Sequence, residues 1–426
     1  MRVAVGARRV CVGVTGRQPP SNGKMWRMRR RWLWGRARGA AVVSAAFVIV
    51  VAGGPLDPSA GGAVAAVRTV LAPGVLDAPA AVALDSAGDM FVADTGHCRI
   101  VVVPAHGGHS YGLTLRPGRP VTIAGGHCGG SGAFGHPTGL AVDVTGDVYV
   151  AEANENRVKV VEPTGAVANV AGTGKAGDGG DGGVASSAQL HEPLAVAVDH
   201  SGDLFIADTA NCRVRVVASA RGSVLGQAVE RDHIYTVAGT GVCGSAGQGG
   251  PIGSAQLYDP VAVTVDFTGD LLVADRGDQS VLLATAGGGT SYGTTVAAGD
   301  LGIVVGGTGS YGPYIGDGLP ATGATAELND PRDIALGPNG ALVLTDGFMH
   351  VIRVVPAQSG PLFGRAMTAD DLYTVAGALP VSTAAGSGNG TRWVVAHIGT
   401  PTGVAVTMSG SVVYCDAATG ALVRVG

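Results

Sequence analysis

The sequence predicts an all-β fold, a six-bladed β-propeller of four-stranded blades, and three features of the sequence lead to this prediction. First, six blocks resemble one another and align on a proline. These prolines are Pro79, Pro137, Pro193, Pro260, Pro331 and Pro401. Second, each block contains three short runs rich in β-branched residues, and most blocks add a fourth. Third, Gly contributes 72 of the 426 residues, as expected for a chain with many tight turns.

The first three runs of a block predict antiparallel strands. In the block that begins at Pro193 they read PLAVAV, LFIAD and RVRVV. A D-x-x-G turn at 199–202 separates the first two runs, and a D-T-x-N turn at 208–211 separates the second from the third. Short apolar runs divided by such turns are typical of antiparallel strands.

The fourth run predicts the outer strand of each blade. It reads VTIAGG at 121–126, VANVAGTG at 167–174, IYTVAGTG at 234–241, GIVVGGTG at 302–309 and LYTVAGAL at 372–379. Four strands per repeat make a propeller blade. The sixth block ends after its third run, and VRTVLAPG at 67–74 resembles the missing fourth. We therefore expect residues 67–74 to complete the last blade, which closes the ring and removes a free sheet edge.

Gly-rich linkers connect the blades, and the linker AGTGKAGDGGDGGVASSAQL at 171–190 could be mistaken for a ligand loop. A phosphate loop needs Ser or Thr after its Lys, but Ala176 follows Lys175. The aspartates of this linker also miss the spacing of a calcium-binding nonapeptide. Related linkers precede Pro260 and Pro331, so the sequence favours a structural crossing in which glycines adopt positive φ and an Ala-x-Leu pair is buried.

The N-terminal region, residues 1–63, is expected to lie outside the propeller, which we assign to residues 64–426. Six arginines between Arg27 and Arg38 precede the apolar run 40–52. This run is shorter than the about 20 residues that span a membrane, which favours a secretory signal peptide over an uncleaved anchor. We expect a secreted or cell-surface, extracytoplasmic protein that contacts a membrane only through this segment, if the segment is retained.

The charge of the chain argues against nucleic-acid binding. The formal net charge is −4, and lysine occurs only at Lys24, Lys159 and Lys175. Aromatic residues make up 5% of the chain and are not interleaved with basic ones. Proteins that bind nucleic acid combine a basic surface with stacking aromatic residues, so we expect no nucleic-acid partner.

At these blade and linker signatures, A-D-T-x-N-x-R-V-R and A-G-T-G followed by G-D-G-G, the chain resembles the NHL-repeat family, and more narrowly its exported bacterial members. The resemblance covers about residues 64–426 and is strongest in the blocks at Pro79, Pro137 and Pro193. It implies a six-bladed propeller that usually binds protein, peptide or glycan. Ser280 and Val351 replace an arginine of the earlier blades, so we expect irregular turns in blades 4 and 5.

An acidic residue ends the second run of every block. These residues are Asp94, Glu152, Asp208, Asp275, Asp346 and Asp416. In the first three blocks an arginine follows five residues later, and an ion pair between the two would fix the turn. A ring of catalytic acids is the alternative. The uniformity of the position favours the structural interpretation, because an active site breaks the symmetry of a repeat protein.

Two segments match G-x-S-x-G, the nucleophile motif of hydrolases. They are GHSYG at 108–112, with Ser110, and GTSYG at 289–293, with Ser291. Neither precedes a predicted helix, as the motif requires, and aligned blades keep the glycines but not the serines. We interpret both as long turns between third and fourth strands and assign no catalytic residue.

Four of the six cysteines repeat as two parallel pairs. Cys98 and Cys212 occupy the same blade position, and Cys128 and Cys243 lie in the linkers that follow. The repetition predicts two disulfides, Cys98–Cys128 and Cys212–Cys243, which an exported chain can form. Zinc binding is disfavoured because no C-x-x-C spacing occurs. Cys415 is expected to be a buried free thiol, and Cys11 would leave with a cleaved signal.

The residues that precede the anchor prolines suggest a metal site at one mouth of the central channel. His136, Glu192, Asp259 and Asp330 come from adjacent blades, and Asp333 stands where other blades have Ala or Gly. Oxygen ligands would suit Ca²⁺ or Mg²⁺, and participation of His136 would favour Mn²⁺ or Zn²⁺. The alternative is that an acid before proline caps an extended turn in solvent.

These features favour a non-catalytic, extracytoplasmic binding or scaffold module, expected to be a monomer with a protein, peptide or glycan ligand on one propeller face. Rim loops vary while the blades repeat, which is typical of rigid scaffolds that display recognition loops. A metal-dependent propeller enzyme, similar to a lactonase or a lyase with its site at the channel mouth, is the alternative.

Overall fold

The structure is a computed structural model of the chain that describes residues 67–128, 134–307, 317–323, 326–363, 365–377 and 398–426. The predictions for the N-terminal region and for Cys11 lie outside these residues. Within them, no helix combines the length and apolar character needed to cross a membrane.

Six four-stranded antiparallel sheets form the blades of a closed propeller. Blade 1 consists of Ala81–Leu84, Met90–Asp94, Arg99–Val103 and Val121–Gly125. Blade 2 consists of Pro137–Val142, Val148–Glu152, Arg157–Val161 and Val167–Ala171. Blade 3 consists of Pro193–Val198, Leu204–Asp208, Arg213–Val217 and Ile234–Ala238. The sheet order follows the chain order, so the fourth strand of each of these blades is the outer one.

Blades 4 to 6 repeat this arrangement. Blade 4 consists of Pro260–Val265, Leu271–Asp275, Ser280–Ala284 and Leu301–Gly306. Blade 5 consists of Pro331–Leu336, Leu342–Asp346, Val351–Val355 and Asp371–Ala376, and the short strand Leu319–Pro320 adds to its outer edge. Blade 6 consists of Pro401–Val406, Val412–Asp416 and Ala421–Val425, completed by Val67–Leu71.

The last blade closes the ring with the predicted strand. Val67 pairs with Val425 and Thr69 pairs with Val423 in an antiparallel register. The first described residues of the propeller therefore form the outer strand of the same sheet as its last residues. This arrangement leaves no unpaired sheet edge at the seam.

The apolar core lies between neighbouring blades. One cluster joins Leu272 and Leu283 of blade 4 to Leu342 and Leu344 of blade 5. The Ala-x-Leu pairs of the linkers are buried as predicted, and Leu190 has no exposed surface. Burial of one such leucine contributes about 1.5–3 kcal/mol, which explains why the linker keeps this pair.

The two faces of the ring are built from different connections. We call the side that carries the linkers and the turns between second and third strands the linker face. Three of these turns are short 3-10 helices, Thr95–His97, Ala153–Glu155 and Thr209–Asn211, and a further one, Ala185–Ser187, lies in a linker. We call the opposite side, with the D-x-x-G-type turns between first and second strands, the turn face.

Two-stranded hairpins extend from the turn face between third and fourth strands, where the sequence analysis expected long turns. Within the described residues they pair Gly108–Ser110 with Leu113–Leu115, Gly222–Val224 with Gln227–Val229, Gly289–Ser291 with Thr294–Val296, and Gly360–Leu362 with Arg365–Met367. The G-x-S-x-G segments are hairpin tips. Tyr111 and Gly112 have φ values of 54° and 68°, which the tight two-residue turn of a hairpin requires.

Strand pairing beside the turns of blades 4 and 5 keeps the register of the earlier blades, although these turns are not the 3-10 helices of blades 1 to 3. Ser280 pairs with Asp275 and Val351 pairs with Asp346 in the same register as Arg99 and Asp94 of blade 1. Backbone pairing maintains this turn, so the arginine side chain is not needed for it. Blade 5 has a buried arginine, Arg353, two residues after Val351 on the third strand. Its guanidinium donates to the backbone oxygen of Glu327.

Candidate functional site

The six acids at the ends of the second strands hold the linkers to the blades. All six are buried, and each carboxylate accepts a backbone N–H from the residue two positions before the anchor proline. The donors, from blade 1 to blade 6, are Asp77, Gly135, His191, Tyr258, Asn329 and Gly399, at 2.7–3.0 Å. A bond repeated in every blade supports the structural interpretation of this ring.

The predicted ion pairs across the adjacent turn form fully only in blade 1. Arg99 Nε lies 2.6 Å from the carboxylate of Asp94. In blade 2 the corresponding distance from Arg157 to Glu152 is 3.8 Å, and Lys159 approaches Glu152 more closely, at 3.0 Å.

In blade 3 the predicted pair of Asp208 with Arg213 is replaced, because the linker offers other carboxylates. Arg213 lies 3.5 Å from Asp178, while Arg215 approaches Asp208 at 3.7 Å. The fully buried Arg215 also lies 2.5 Å from Asp181 and donates to the backbone oxygen of Gln189 at 2.6 Å. The aspartates of the Gly-rich linker therefore bind arginines of their own protein.

The residue after the turn on the linker face fastens the following linker. It has positive φ in all six blades, at Cys98, Asn156, Cys212, Gln279, His350 and Gly420. The structure contains both predicted disulfides, Cys98–Cys128 and Cys212–Cys243, with Cα atoms 5.3 and 5.2 Å apart. Asn156 accepts the N–H of Glu192, and His350 Nδ1 contacts the carbonyl oxygen of Gly399. Cys415 is a buried free thiol.

Several residues predicted as metal ligands have partners within the protein. Asp259 pairs with Arg276 at 2.7 Å, and Asp330 pairs with Arg332 at 2.6 Å. Glu192 and His136 are both exposed. In the part of the chain that the structure describes, no group of three or more His, Cys, Asp or Glu side chains could hold a metal ion. The metal site stays a prediction, and a cation there would have to displace two arginines.

Asp333 belongs to the wall of the central channel rather than to its rim. Its carboxylate accepts the N–H of Val404 in blade 6 at 2.7 Å and the N–H of the adjacent residue Ile334 at 2.9 Å. Burial raises the pKa of Asp333 to about 7, although the two N–H donors oppose this shift. The residue therefore links blades 5 and 6 at a position where the other blades have Ala or Gly.

The inner strands enclose a channel with a cavity of about 320 Å³. Each inner strand lies beside the inner strands of both neighbouring blades, and blade 6 lies beside blade 1. Where these strands reach the turn face, each ends in a half-buried aliphatic residue that lines the cavity. These residues are Leu84, Val142, Val198, Val265, Leu336 and Val406.

Exposed apolar residues continue this lining outward. The second residue of the turn on the turn face is Val144 in blade 2, Phe267 in blade 4 and Met408 in blade 6, with 86%, 85% and 81% of the surface exposed. Pro338 of blade 5 occupies the equivalent position and is also exposed. The turn-face mouth is thus an apolar ring of six aliphatic residues, surrounded by exposed apolar turn tips.

The second blade also carries the match to a known family. The model of the NHL repeat matches residues 134–161, which include the first three strands of blade 2. Six blades of the same plan surround the channel. The chain is an NHL-repeat propeller. It shares 36% identity over 88 residues with Protein SUPPRESSOR OF QUENCHING 1, chloroplastic, of Arabidopsis thaliana, a match that spans 20% of this chain and only 8% of that relative.

Solved structures similar to this NHL-repeat propeller support the fold. A protein of unknown function from Bacteroides thetaiotaomicron has a TM-score of 0.52 at 14% identity, over 86% of this chain and 76% of its own. An auxiliary nutrient binding protein from the same bacterium has a TM-score of 0.52 at 10% identity, over 84% of this chain and 76% of its own. At these identities the similarity concerns the fold alone.

The apolar mouth of this NHL-repeat propeller was missed in the sequence analysis, although a signal was present. In an alignment of the six blocks, Val144, Phe267 and Met408 fall in one column between polar turn residues. An apolar residue inside a D-x-x-G-type turn has no neighbour to cover it. The column could therefore have been recognised as an exposed apolar ring.

Proposed function

We propose that this NHL-repeat propeller is an extracytoplasmic binding protein that holds a protein, peptide or glycan ligand at the turn-face mouth. The exposure of Val144, Phe267 and Met408 around the channel carries this proposal. Soluble proteins rarely leave apolar side chains together in solvent unless the surface binds something. Three such residues at equivalent turn positions surround the apolar channel mouth and define the candidate surface.

The scaffold below this surface is suited to binding because it is rigid. Tyr111 of blade 1 donates to the carbonyl oxygen of Gly146 in blade 2, and Tyr292 of blade 4 donates to that of Gly340 in blade 5. Each of these bonds joins a hairpin tip to the turn of the next blade. Turns held in this way present their tips with little entropy left to lose on binding.

The two disulfides support an extracytoplasmic location for this activity. Cys98–Cys128 and Cys212–Cys243 each close a loop on the linker face. Structural disulfides persist in oxidising compartments and are rare where thiols are kept reduced. Alkylation of intact producing cells followed by non-reducing peptide mapping tests the location, because a cytosolic chain would yield these four cysteines as free thiols.

The binding proposal is tested by affinity capture at the surface of the producing cells with matched baits. The wild-type chain is compared with a Phe267→Ser, Met408→Ser variant of the turn face and with Phe348→Ser. Phe348 lies on the linker face with 67% of its surface exposed, so it controls for the loss of any exposed aromatic residue. We expect the same partner with wild type and Phe348→Ser, and its loss with the double variant. Equal capture by all three would reject the turn face as the binding surface.

A further inference from the structure

In blades 1 to 4 the turn-face mouth carries acidic side chains in addition to its apolar ring. In blades 1 to 4 the turn between first and second strands contains two aspartates. They are Asp85, Asp89, Asp143, Asp147, Asp199, Asp203, Asp266 and Asp270. All except Asp203 are partly exposed. Among the described residues, none of these eight carboxylates takes part in an ion pair, unlike Asp94, Asp259 and Asp330 of the linker face.

The aspartates act on one another within the turns of blades 1 to 3. Burial raises the pKa of Asp85, and the charge of Asp89 adds to the shift. Burial likewise raises the pKa of Asp147 and of Asp199, with contributions from Asp143 and Asp203. Like charges that raise the pKa of their neighbours indicate a negative potential at these turns, although His200 lowers the pKa of Asp199. A cationic partner would relieve this repulsion.

The negative potential is confined to one side of the mouth. Blades 5 and 6 have no acid in the corresponding turns and contribute Pro338 and Met408 instead. Arg424 of blade 6 donates to Ser409 and Ser411 of its turn, so this side also contains a basic group. A ligand therefore meets an acidic rim over blades 1 to 4 and an apolar rim over blades 5 and 6.

We propose that the ligand of the turn-face mouth is a peptide segment in which an aliphatic or aromatic side chain is flanked by Lys or Arg. This inference rests on the proposed function. The apolar side chain enters the ring that includes Leu84, Val265 and Leu336, while the flanking cations meet the turn carboxylates. Complementary charge around an apolar anchor is a common design of protein interfaces.

The same observations disfavour other partners. The phosphates of an anionic membrane or of a nucleic acid would meet the aspartates of four blades and be repelled. Glycans are commonly held by stacking on aromatic faces, but Phe267 is the one aromatic residue among the six turn tips. A basic peptide satisfies both the charge and the apolar character of the mouth.

Fluorescence polarisation with a series of labelled peptides tests the inference on the full chain. Each probe has a central Phe or Leu flanked on both sides by two Lys, two Ser or two Glu. We expect the Lys-flanked probe to bind at least about tenfold more tightly than the Ser-flanked probe at low salt, and this preference to shrink as salt screens the charges. The Glu-flanked probe should not bind.

Two variants locate the interaction. Asp270→Asn removes a turn carboxylate that makes no hydrogen bond or ion pair with any described residue, so its loss should not disturb the turn. It should weaken the Lys-flanked probe several-fold and leave the Ser-flanked probe unchanged. Glu192→Gln, which removes an exposed carboxylate on the linker face, is its matched control and should affect neither probe.

The outcomes separate this inference from the proposed function. Equal binding of the Lys- and Ser-flanked probes, sensitive to Phe267→Ser, would overturn the basic-peptide inference and retain a peptide-binding mouth. Binding of phosphatidylcholine–phosphatidylglycerol vesicles or of a soluble glucan, without peptide binding, would likewise overturn the inference. If no probe, vesicle or glucan bound in a manner sensitive to Phe267→Ser, the proposed function would fail as well.

Discussion

The two faces of the propeller use the same residue type for opposite purposes. On the linker face Asp208 is buried, accepts the N–H of His191 and has Arg215 nearby. On the turn face Asp270 is partly exposed, and none of the described residues pairs with its carboxylate. A buried aspartate thus holds a linker to its blade, whereas an exposed aspartate produces a negative electrostatic potential in solvent. Burial and partners, rather than residue identity, distinguish a structural acid from a candidate recognition acid.

Replacement of the most buried cation on the linker face should have the largest effect. We expect Arg215→Met to lower the free energy of unfolding by about 3–5 kcal/mol, because the linker loses its ion pair with Asp181 and its bond to Gln189. Urea unfolding measures the loss. Arg424→Met on the turn face is the matched change and should cost less than about 1 kcal/mol, because among the described residues Arg424 donates only to two serine hydroxyls. Similar losses for both would contradict the contrast between the faces.

The linker face also contains its own comparison, between covalent and hydrogen-bonded fastening. Cys212→Ser with Cys243→Ser should lower the free energy of unfolding by about 3–4 kcal/mol, since the unfolded chain regains the freedom of a 31-residue loop. Asn156→Ala removes one hydrogen bond at the equivalent position of blade 2 and should cost about 1 kcal/mol. Thermal and urea unfolding of the two variants should rank them in this order. The reverse order would show that the linker after blade 3 is held mainly by hydrogen bonds such as that from the Tyr258 N–H to Asp275.

Much of the fold could be predicted because each blade repeats its apolar pattern. The proline anchors placed the inner strands, and the run at 67–74 indicated the closing strand Val67–Leu71. The bonds from Asp94 and its equivalents to the linkers could not be predicted. Their donors are backbone N–H groups, which any residue supplies, as Asp77, Gly135 and Tyr258 illustrate. A sequence pattern identifies the acceptor of such a bond but not its donor.

The candidate site was less predictable for a related reason. Charged residues precede several anchor prolines, and they were therefore predicted as metal ligands. In the structure Asp259 and Asp330 are paired with Arg276 and Arg332, and neither arginine has a fixed spacing that marks it as a partner. The apolar mouth depends on exposure. Exposure of Phe267 could have been inferred from its D-x-x-G-type turn, but the position of that turn at the channel mouth follows only from the ring geometry.

The pH dependence of stability offers a third way to compare the faces. Burial raises the pKa of Asp275 to about 6 from its ordinary value of 3.8, so the folded state favours the protonated acid. The stability from this residue is complete below pH 3.8 and is lost as the pH rises through about 6, by about 3 kcal/mol in total. Relative to wild type, Asp275→Asn should therefore gain stability as the pH rises from 4 to 7.

Urea unfolding at a series of pH values measures this gain. Asp85 of the turn face is the matched position, because burial also raises its pKa while leaving it partly exposed. Asp85→Asn should show a change of the same sign and smaller size. A larger change at Asp85 than at Asp275 would mean that the turn face is the more enclosed of the two.

The smallest effect is expected where the turn face is held together across blades. Tyr292 is buried and donates its hydroxyl to the carbonyl oxygen of Gly340 in the next blade at 2.8 Å. Tyr292→Phe keeps the packing and removes one hydrogen bond to a half-buried acceptor, so we expect a loss of about 1 kcal/mol in urea unfolding. Tyr111→Phe, which removes the bond to Gly146 between blades 1 and 2, should cost the same, and the two losses should add because the seams are separate. A loss above about 3 kcal/mol for either variant would place the turn face beside the linker face as a main source of stability, because a single neutral hydrogen bond does not contribute that much.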